Sequence, residues 1–311
     1  MPPRVAPLSP LRMLNPRGTR WTSSLSRLSS SPDLAILRHH HLPADAPNGI
    51  VPYDDADRLQ ERLRSEFLAW KSRPELSRST PADCPRPHLI SFESTPTFTL
   101  GRRQDDLTPA QAAHLRRDLR VDLPHRRRPL TDLSLTPNVR KTNRGGLTTY
   151  HGPGQIVFWP VLDMHSPLYA RYGVASYASH LESTTQRLLA EAFGIRTYIN
   201  RDEPGVWVAT PGGQPERKIA AMGVHHRRHV TALGIALNVD IPVVGGEDVN
   251  PWARFVPCGL EGRLVTSVAA EVHSRQEEPW DLDALAARWA KIFERGLLDA
   301  SQRVFDTQGQ R

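Results

Sequence analysis

Cysteine is scarce in this 311-residue sequence, where Cys84 and Cys258 are the only two. They lie far apart, no CxxC occurs, and the tract HHH at residues 39–41 lacks companion ligands at zinc-site offsets. We therefore predict neither a disulfide nor a metal site, and interpret the histidine tract as surface. Long apolar runs are also missing: QIVFWPVLDM is far shorter than the ~20 residues that cross a membrane. No membrane insertion is expected.

Acidic residues are absent from the first part of the chain. The first one is Asp33, and five arginines and many serines precede it. A composition rich in Arg and Ser and poor in acids is typical of an organellar transit peptide, whereas a secretory signal needs a continuous apolar centre. We interpret residues 1–45 as a disordered leader, most simply a mitochondrial transit peptide, which predicts a location in the mitochondrial matrix. The alternative is a disordered basic tail.

The positive charge of the chain is concentrated in that leader. The net charge is +7, and removing the five arginines leaves 7 − 5 = +2. A near-neutral chain without a basic stripe interleaved with aromatic residues does not indicate nucleic-acid binding. Two basic clusters remain, HRRR at residues 125–128 and HHRRH at residues 225–229. Each is either a solvated surface or a docking site for an acidic partner.

Hydrophobic periodicity predicts one domain at residues 46–300, followed by a flexible tail at 301–311. Apolar residues recur at helical spacing in residues 54–73, 177–194 and 280–299. Short apolar runs typical of strands lie between these helices: HLISFES, PTFTLG, LTTY, GQIVFWPVLDM, GVWVA, KIAAMGV and HVTALGIALNVD. Residues 125–143 show no periodicity and are interpreted as an insertion or lid-like loop. Strands grouped between helices, without regular βαβ alternation, predict an α+β fold in which a mixed sheet packs with helices in two layers.

The string RGGLTTYHGPGQ, at residues 144–155, is rich in glycine. Glycine permits positive φ and close approach of a ligand to the backbone. The string fits neither a P-loop nor a dinucleotide fingerprint, because the required spacings and a following helix are missing. It predicts either a structural hairpin or a substrate pocket.

Two residues could carry chemistry. Cys258 lies between Pro257 and Gly259, in a loop setting that suits a nucleophile better than the setting of Cys84, although buried packing is an alternative. Lys218 lies in RKIAAMGV. It is either a solvated residue at a strand edge or a cation that lowers the pKa of a nearby thiol.

Five blocks occur in order: RGGLTTYHGPGQ, PGVWV, KIAAMGV, GIALNVD and VPCGLEGRLVTSV. Together they resemble the lipoyl(octanoyl) transferases of the biotin/lipoate protein ligase superfamily, including mitochondrial eukaryotic members, over roughly residues 50–298. The resemblance implies a biotin/lipoate protein ligase-like catalytic domain at residues 46–300. It also implies Cys258 as the acyl-thioester nucleophile and Lys218 as the group that lowers its pKa and can serve as a base. The substrate-binding residues that it implies are Arg144, Gly145, Gly146, Leu147, Thr148, Thr149, Tyr150, His151, Ala221, Met222, Gly223, Gly234, Ile235 and Ala236.

The resemblance further implies partners and a reaction. Octanoyl-acyl carrier protein would be the donor, and the acceptors would be lysine amines of lipoyl domains in 2-oxoacid dehydrogenase complexes and of the glycine cleavage H protein, with no cofactor. One position departs from the family, because Leu233 replaces a histidine of the block HGLALN. Two other functions remain open: an ATP-dependent lipoate or biotin ligase of the same fold, and a non-catalytic module that binds acyl carrier or lipoyl domains.

Overall fold

The structure, a computed structural model, describes residues 35–42, 48–74, 83–209, 216–255, 264–272 and 278–299. Its elements alternate irregularly between strands and helices. In chain order they are β1 (Arg38–Leu42), α1 (Tyr53–Lys71), β2 (His88–Phe92), β3 (Thr97–Leu100), α2 (Pro109–Leu115), β4 (Leu119–Leu123), β5 (Leu130–Leu135), β6 (Asn138–Lys141), β7 (Thr148–His151), β8 (Gln155–Val161), α3 (Val174–Phe193), β9 (Thr197–Ile199), β10 (Gly205–Val208), β11 (Arg217–Arg227), β12 (Val230–Asn238), a 3₁₀ helix (Pro251–Arg254), β13 (Leu264–Val265), α4 (Val268–Val272) and α5 (Leu282–Leu298).

A mixed main sheet forms the centre of the described chain. Its strand order is β1-β2-β8-β12-β11-β10-β9, and β13 pairs with the start of β11 on the edge opposite β10. The pairs β1–β2 and β11–β13 are parallel, and the other neighbours are antiparallel. Two smaller sheets, β6-β3-β7 and β4-β5, lie beside it. This arrangement confirms the predicted α+β class and mixed sheet.

Helices cover both faces of the main sheet. Leu59, Leu63 and Phe67 of α1 pack with buried residues of β2, β8 and β12, as the helical spacing of these residues predicts. Helices α3 and α5 pack on the other face, where the ring of Trp289 stacks on that of Phe158 with centroids 4.3 Å apart. Each buried apolar side chain of this size contributes roughly 1.5–3 kcal/mol. The central strands therefore lie between two layers of helix.

The predicted leader boundary is wrong, because residues 35–42 belong to the fold. Strand β1 extends the main sheet, and the Glu294 carboxylate accepts the backbone N–H groups of Ala35, Ile36 and Leu37 at 3.1, 2.7 and 2.8 Å. Polar β1 residues concealed this strand within a basic, serine-rich composition. Residues 1–34, 43–47 and 301–311 lie outside the described residues, so the transit peptide and the tail stay predictions.

The histidine tract at residues 39–41 is not a surface tract. His39 is buried, with Nε2 2.7 Å from Ser91 Oγ, and His40 Nε2 lies 2.7 Å from His88 Nδ1. Burial lowers the pKa of His39 and of His88 to about 3, so both rings are neutral at pH 7. Among the described residues, no group of three or more His, Cys, Asp and Glu side chains is placed to hold a metal ion.

The segment at residues 125–143 is not a loop. It contains β5, which pairs with β4, and β6, which pairs in parallel with β3. Leu130 is buried in a small core with Phe98 and Tyr150. In both strands, polar and apolar residues alternate over only a few positions, so the sequence periodicity did not reveal β5 and β6.

A buried charge cluster joins this segment to the main sheet. Arg126 Nη2 donates to Glu93 Oε2 at 2.5 Å, and Arg126 Nε lies 3.4 Å from Asp240 Oδ2. Glu93 Oε1 also accepts the N–H of Gly154 at 2.5 Å. Burial raises the pKa of Glu93, and raises that of Asp240 to about 7. Arg126 is therefore an interior ion-pair partner and not part of a solvated cluster.

Cys84 is a buried free thiol. Its Sγ lies 3.4 Å from Ser166 Oγ, and burial raises its pKa above the usual value of a thiol. Burial, the larger cause, therefore suppresses thiolate formation, although the Ser166 hydrogen bond acts in the opposite direction. In the described part of the chain, no helix is long and apolar enough to cross a membrane.

Candidate active site

The glycine-rich segment leads the chain from β6 into β7. Gly146 has a positive φ of 86°. A Cβ at Gly101 would lie 2.2 Å from the Gly146 carbonyl oxygen, so only glycine at residue 101 permits the two backbones to approach this closely. The turn places the side chain of Arg144 next to β3 and β11.

Arg144 is buried and its guanidinium is fixed by neutral acceptors. Nε donates to Thr99 Oγ1 at 3.2 Å, and Nη2 donates to the carbonyl oxygens of Thr99 and Leu147 at 2.5 and 2.6 Å. Nη1 donates to the Gly145 carbonyl at 3.0 Å. These bonds offset the desolvation of the charge and hold it at one position.

Facing glycines form the centre of the β11–β12 hairpin. Gly223 and Gly234 are Cα partners in the register. A Cβ at Gly234 would lie 2.0 Å from the Phe158 carbonyl oxygen, and one at Gly223 would lie 3.0 Å from Arg144 Cδ. The missing side chains expose backbone between the two strands.

This backbone is part of the floor of a surface pocket. The walls are largely apolar, with a few polar groups. It is lined by Tyr53, Arg144, Thr149, His151, Val157, Trp159, Ala221, Met222, Gly223, Leu233, Gly234, Ile235 and Ala236.

His151 is a neutral imidazole in the pocket wall. Burial lowers its pKa to about 4. Its Nδ1 lies 2.7 Å from Gln155 Oε1, while Gln155 Nε2 donates to Tyr150 O and Asn238 Oδ1. Because these two bonds assign the amide orientation, Nδ1 carries the proton and Nε2 carries the lone pair. His151 can thus accept a hydrogen bond from a ligand at neutral pH.

Leu233 lines the pocket in a backbone conformation that is rare for leucine. Its φ is +61°, and its N–H donates to Gln60 Oε1 at 2.5 Å. A left-handed residue with a Cβ costs about 1–2 kcal/mol. Here an apolar wall occupies the position at which the resembled family has a histidine.

Lys218 is a buried cation near the start of β11. Its Nζ lies 3.8 Å from Glu203 Oε2 and 4.6 Å from the centroid of the Trp207 ring. The buried Glu182 carboxylate, whose Oε1 accepts the Gly205 N–H at 2.8 Å, also interacts with it electrostatically. Lys218 is three residues before Ala221 of the pocket, which is about 10 Å along a strand. It is therefore not a solvated lysine at a sheet edge.

Cys258 lies outside the described residues. The chain resumes at Leu264, and β13 places Val265 opposite Lys218. The Thr266 N–H donates to the Lys218 carbonyl at 2.9 Å. The described chain that follows Cys258 is thus anchored beside Lys218, and the proximity of the amine and the sulfur stays a prediction.

The structure brings most of the predicted substrate-binding residues to one pocket. The other predicted residues belong to the turn or to the small core and not to the pocket. Thr148 Oγ1 donates to Gln104 Oε1 at 2.8 Å, and the centroid of the Tyr150 ring lies 5.8 Å from that of the Trp252 ring. The predicted residues that do not line the pocket are Gly145, Gly146, Leu147, Thr148 and Tyr150. Tyr53, Val157 and Trp159 also line the pocket. They were not predicted, because apolar pocket walls and core residues have the same sequence pattern.

Comparison with known sequences gives a consistent result. Residues 67–294 match the family model described as the lipoyl protein ligase A/B catalytic domain. An octanoyltransferase of Mycobacterium leprae is 34% identical over 205 residues, covering 66% of this chain and 74% of that protein. An octanoyltransferase of Gloeobacter violaceus is 33% identical, covering 82% and 94%. A Drosophila melanogaster protein named as a mitochondrial lipoyltransferase 2 is 30% identical, covering 81% and 89%.

Similarity to solved structures is weaker. A bipartite lipoate protein ligase of Thermoplasma acidophilum, whose study includes its E2 lipoyl domain, gives a TM-score of 0.44 at 13% identity, covering 77% of this chain and 79% of that one. Lipoate-protein ligase A bound with ATP gives 0.45 at 14% identity, covering 77% and 81%. The family assignment depends on the sequence matches.

Proposed function

Because the chain belongs to the lipoyl protein ligase A/B catalytic domain family and is an octanoyl-transferring enzyme of protein lipoylation, we propose that it acts through a thioester on Cys258. The proposed donor is octanoyl-acyl carrier protein, and the proposed acceptor is the lysine amine of a lipoyl domain. The observation that carries this proposal is the pocket with a backbone floor and apolar walls between β11, β12 and the glycine-rich segment. Such walls suit an eight-carbon chain, because each buried CH₂ contributes about 0.8 kcal/mol.

The proposed reaction has two steps. In the first, the Cys258 thiolate attacks the donor's thioester carbonyl, a new C–S bond forms, and the carrier leaves as a thiolate that takes up a proton. In the second, the neutral lysine amine attacks the acyl-cysteine, loses a proton, and releases the Cys258 thiolate. Exchange between two thioesters is nearly isoenergetic, and the acyl-cysteine thioester is reactive enough to acylate an amine, so neither step needs ATP.

Lys218 is the proposed partner of Cys258. A cation within about 4–6 Å lowers a thiol pKa by one unit or more. Lys218 is buried, and the chain after Cys258 pairs with it at Val265. Once acylation has removed the thiolate charge, Lys218 can release its proton to solvent, and its neutral amine can then take up the proton that the attacking lysine releases.

The pocket residues have distinct proposed roles. The fixed Arg144 guanidinium donates to the carbonyl oxygen of the acyl group, and the Nε2 lone pair of His151 accepts from an N–H group of the donor's arm or from the acceptor's amine. Tyr53, Trp159 and Leu233 enclose its apolar end. The proposed location is the mitochondrial matrix, and the proposed acceptors are the lipoyl domains of 2-oxoacid dehydrogenase complexes and the glycine cleavage H protein.

Intact-mass analysis tests the mechanism. Wild-type protein mixed with octanoyl-acyl carrier protein, without ATP, is expected to gain one octanoyl group that hydroxylamine removes. The variant Cys258→Ser is expected to gain no hydroxylamine-sensitive group. Absence of the adduct on wild type contradicts the proposal. Acylation of a lipoyl domain that requires ATP and free octanoate would establish a ligase instead.

A further inference from the structure

The two basic clusters of the sequence have different environments. In the cluster at residues 125–128, Arg126 is buried between Glu93 and Asp240. Arg127 Nη1 lies 2.7 Å from Asp281 Oδ2, and Arg128 Nη2 lies 2.8 Å from Asp283 Oδ2. Intramolecular carboxylates neutralise this cluster, so it does not offer unpaired charge to a partner.

The cluster at residues 225–229 lies at the tip of the β11–β12 hairpin. Residues 226–229 are exposed. Within the described ranges, no carboxylate lies within 4.0 Å of the Arg227 or Arg228 guanidinium. Their positive charge therefore faces solvent.

Further basic side chains surround the tip, and burial lowers the pKa of His165 below the usual value of an imidazole, so the arginines supply the positive charge. The ring of His229 stacks on that of His165 with centroids 3.8 Å apart, and Arg171 Nη2 lies 2.9 Å from His165 Nδ1. On the α1 side, Arg64 and Arg102 are close enough to His225 to lower its pKa, after burial as the larger cause. We call residues 225–229 with His165 and Arg171 the hairpin-tip patch.

Asp163 and Glu61, which interact electrostatically with histidines of the patch, are already paired with other cations. Asp163 is buried, and both of its oxygens accept from Lys71 Nζ at 2.6 Å. Glu61 accepts from Arg64 Nη1 at 2.7 Å. The patch therefore keeps a positive field, which attracts and orients an acidic surface.

The turn at the tip is made from residues that strain it. Arg228 and His229 have φ values of +51° and +67° and form the two-residue connection between β11 and β12. Such hairpin turns prefer Asn-Gly, because both residues need positive φ. Arg228 places a fixed positive charge at a position where a stable turn needs none, which indicates that this charge has a use.

The tip is held at a fixed distance from the pocket. Arg228 donates from Nη2 to the Lys71 carbonyl at 3.0 Å and from Nη1 to Ser72 Oγ at 3.1 Å, which ties the tip to the end of α1. Gly223 of the pocket floor is five residues before Arg228 on the same hairpin, or about 17 Å along an extended strand. A partner on the patch can reach the pocket only with an extended arm.

We propose that the hairpin-tip patch is the docking surface for the acidic carrier protein that presents the acyl thioester. This inference depends on the proposed function, since it assigns the donor's binding face. A carrier that holds its acyl group on an extended arm, and whose docking face is rich in Asp and Glu, matches both the charge and the distance.

Kinetics with two donors tests the patch. Arg227 is the best site for a charge reversal, because its side chain is exposed and has no hydrogen bond among the described residues. Arg227→Glu is expected to raise KM for octanoyl-acyl carrier protein about tenfold, and to leave kcat/KM for octanoyl-pantetheine within about twofold. The matched control is Arg120→Glu, which reverses an exposed arginine of the separate β4–β5 sheet and is expected to leave both values unchanged.

A second variant separates charge from folding. Arg228→Asn combined with His229→Gly supplies the preferred turn residues, so its Tm is expected to equal or exceed that of wild type while KM for the carrier rises at least about fivefold. An unchanged carrier KM in both variants, with wild type active on both donors, overturns the docking surface and leaves the proposed function standing. A rise in KM for the lipoyl domain alone would assign the patch to the acceptor and also overturn it. Wild type inactive on both donors would overturn both proposals.

Discussion

Lys218 Nζ lies 4.6 Å from the centroid of the Trp207 ring, and the two residues are Cα partners on β11 and β10. A cation over an indole face is stabilised by the ring quadrupole, most strongly where water is excluded. Glu203 and Glu182 lie on other sides of the same ammonium. The surroundings of Lys218 thus favour a fixed positive charge in the interior.

Removing that charge is expected to slow acyl transfer. Lys218→Met keeps much of the side-chain volume and lowers the single-turnover rate of Cys258 acylation by about 100-fold, the lower range for a positioned acid–base group. The pH profile of Cys258 alkylation is expected to move to higher pH. The control Lys141→Met removes an exposed lysine that pairs with Asp106, and should act like wild type. An unmoved alkylation profile in Lys218→Met would refute the activation role.

Substitution of the glycines should show which of them the pocket requires. Gly234→Ala places a Cβ 2.0 Å from the Phe158 carbonyl oxygen, and is expected to lower the free energy of unfolding by about 1–3 kcal/mol. Gly145→Ala is the matched control, because nothing lies within 4 Å of a Cβ there and its φ is not positive. Its effect is expected to stay within about 0.5 kcal/mol. Urea titration measures both, and equal stabilities would contradict the close approach.

Shortening a pocket wall should change the preferred acyl chain. Leu233→Ala opens space at the wall, so the ratio of kcat/KM for decanoyl over octanoyl donors is expected to rise up to about tenfold. The control is Val230→Ala, which removes buried volume from the same strand outside the pocket. If the ratio changes equally in both variants, Leu233 does not set the chain length.

Asp240 should make stability depend on pH. Its pKa is raised to about 7 in the folded protein, from 3.8 for an ordinary aspartate. The folded state therefore binds more protons than the unfolded state in this window, and this contribution to stability is lost as the pH rises through 7. Asp240→Asn cannot titrate, so its stability relative to wild type is expected to increase between pH 5 and pH 8 by on the order of 2 kcal/mol.

Urea titrations at several pH values check this expectation. The control Asp106→Asn removes an exposed carboxylate whose pKa is lowered by Lys141, so its stability relative to wild type should be flat over the same range. A flat difference for Asp240→Asn would show that the cluster with Arg126 keeps the carboxylate charged throughout.

Local patterns predicted the three long helices and most strands of the main sheet correctly, but missed the short helices α2 and α4. The spacing of Leu59, Leu63 and Phe67 defines the buried face of α1, and Gly194 ends α3 with a φ of +66°. Strand β1 was missed because its histidines are stabilised by partners far along the chain, such as Ser91. The burial and ion pairing of Arg126 were not predicted for the same reason, since Glu93 and Asp240 are distant in sequence.

The pocket was predicted in part. The positions around Gly223 and Gly234 were predicted from the resemblance to the lipoyl(octanoyl) transferases, and glycine content alone pointed to residues 144–155. Tyr53 and Trp159 gave no such signal, because large side chains in a cleft wall and in a core follow the same hydrophobic pattern. The left-handed Leu233 could not be foreseen either, since its conformation depends on the register with β11 and on the bond to Gln60.

The backbone floor also limits how the enzyme can diverge. Neither Gly223 nor Gly234 can accept a side chain without displacing Arg144 or the Phe158 carbonyl, so ordinary point mutation cannot reshape that surface. Substitutions that change the acyl group accepted by the pocket are therefore expected at wall positions such as Leu233, Trp159 and Tyr53. The glycines of the hairpin are expected to stay unchanged, so directed evolution toward new acyl chains should vary only the residues of the pocket walls.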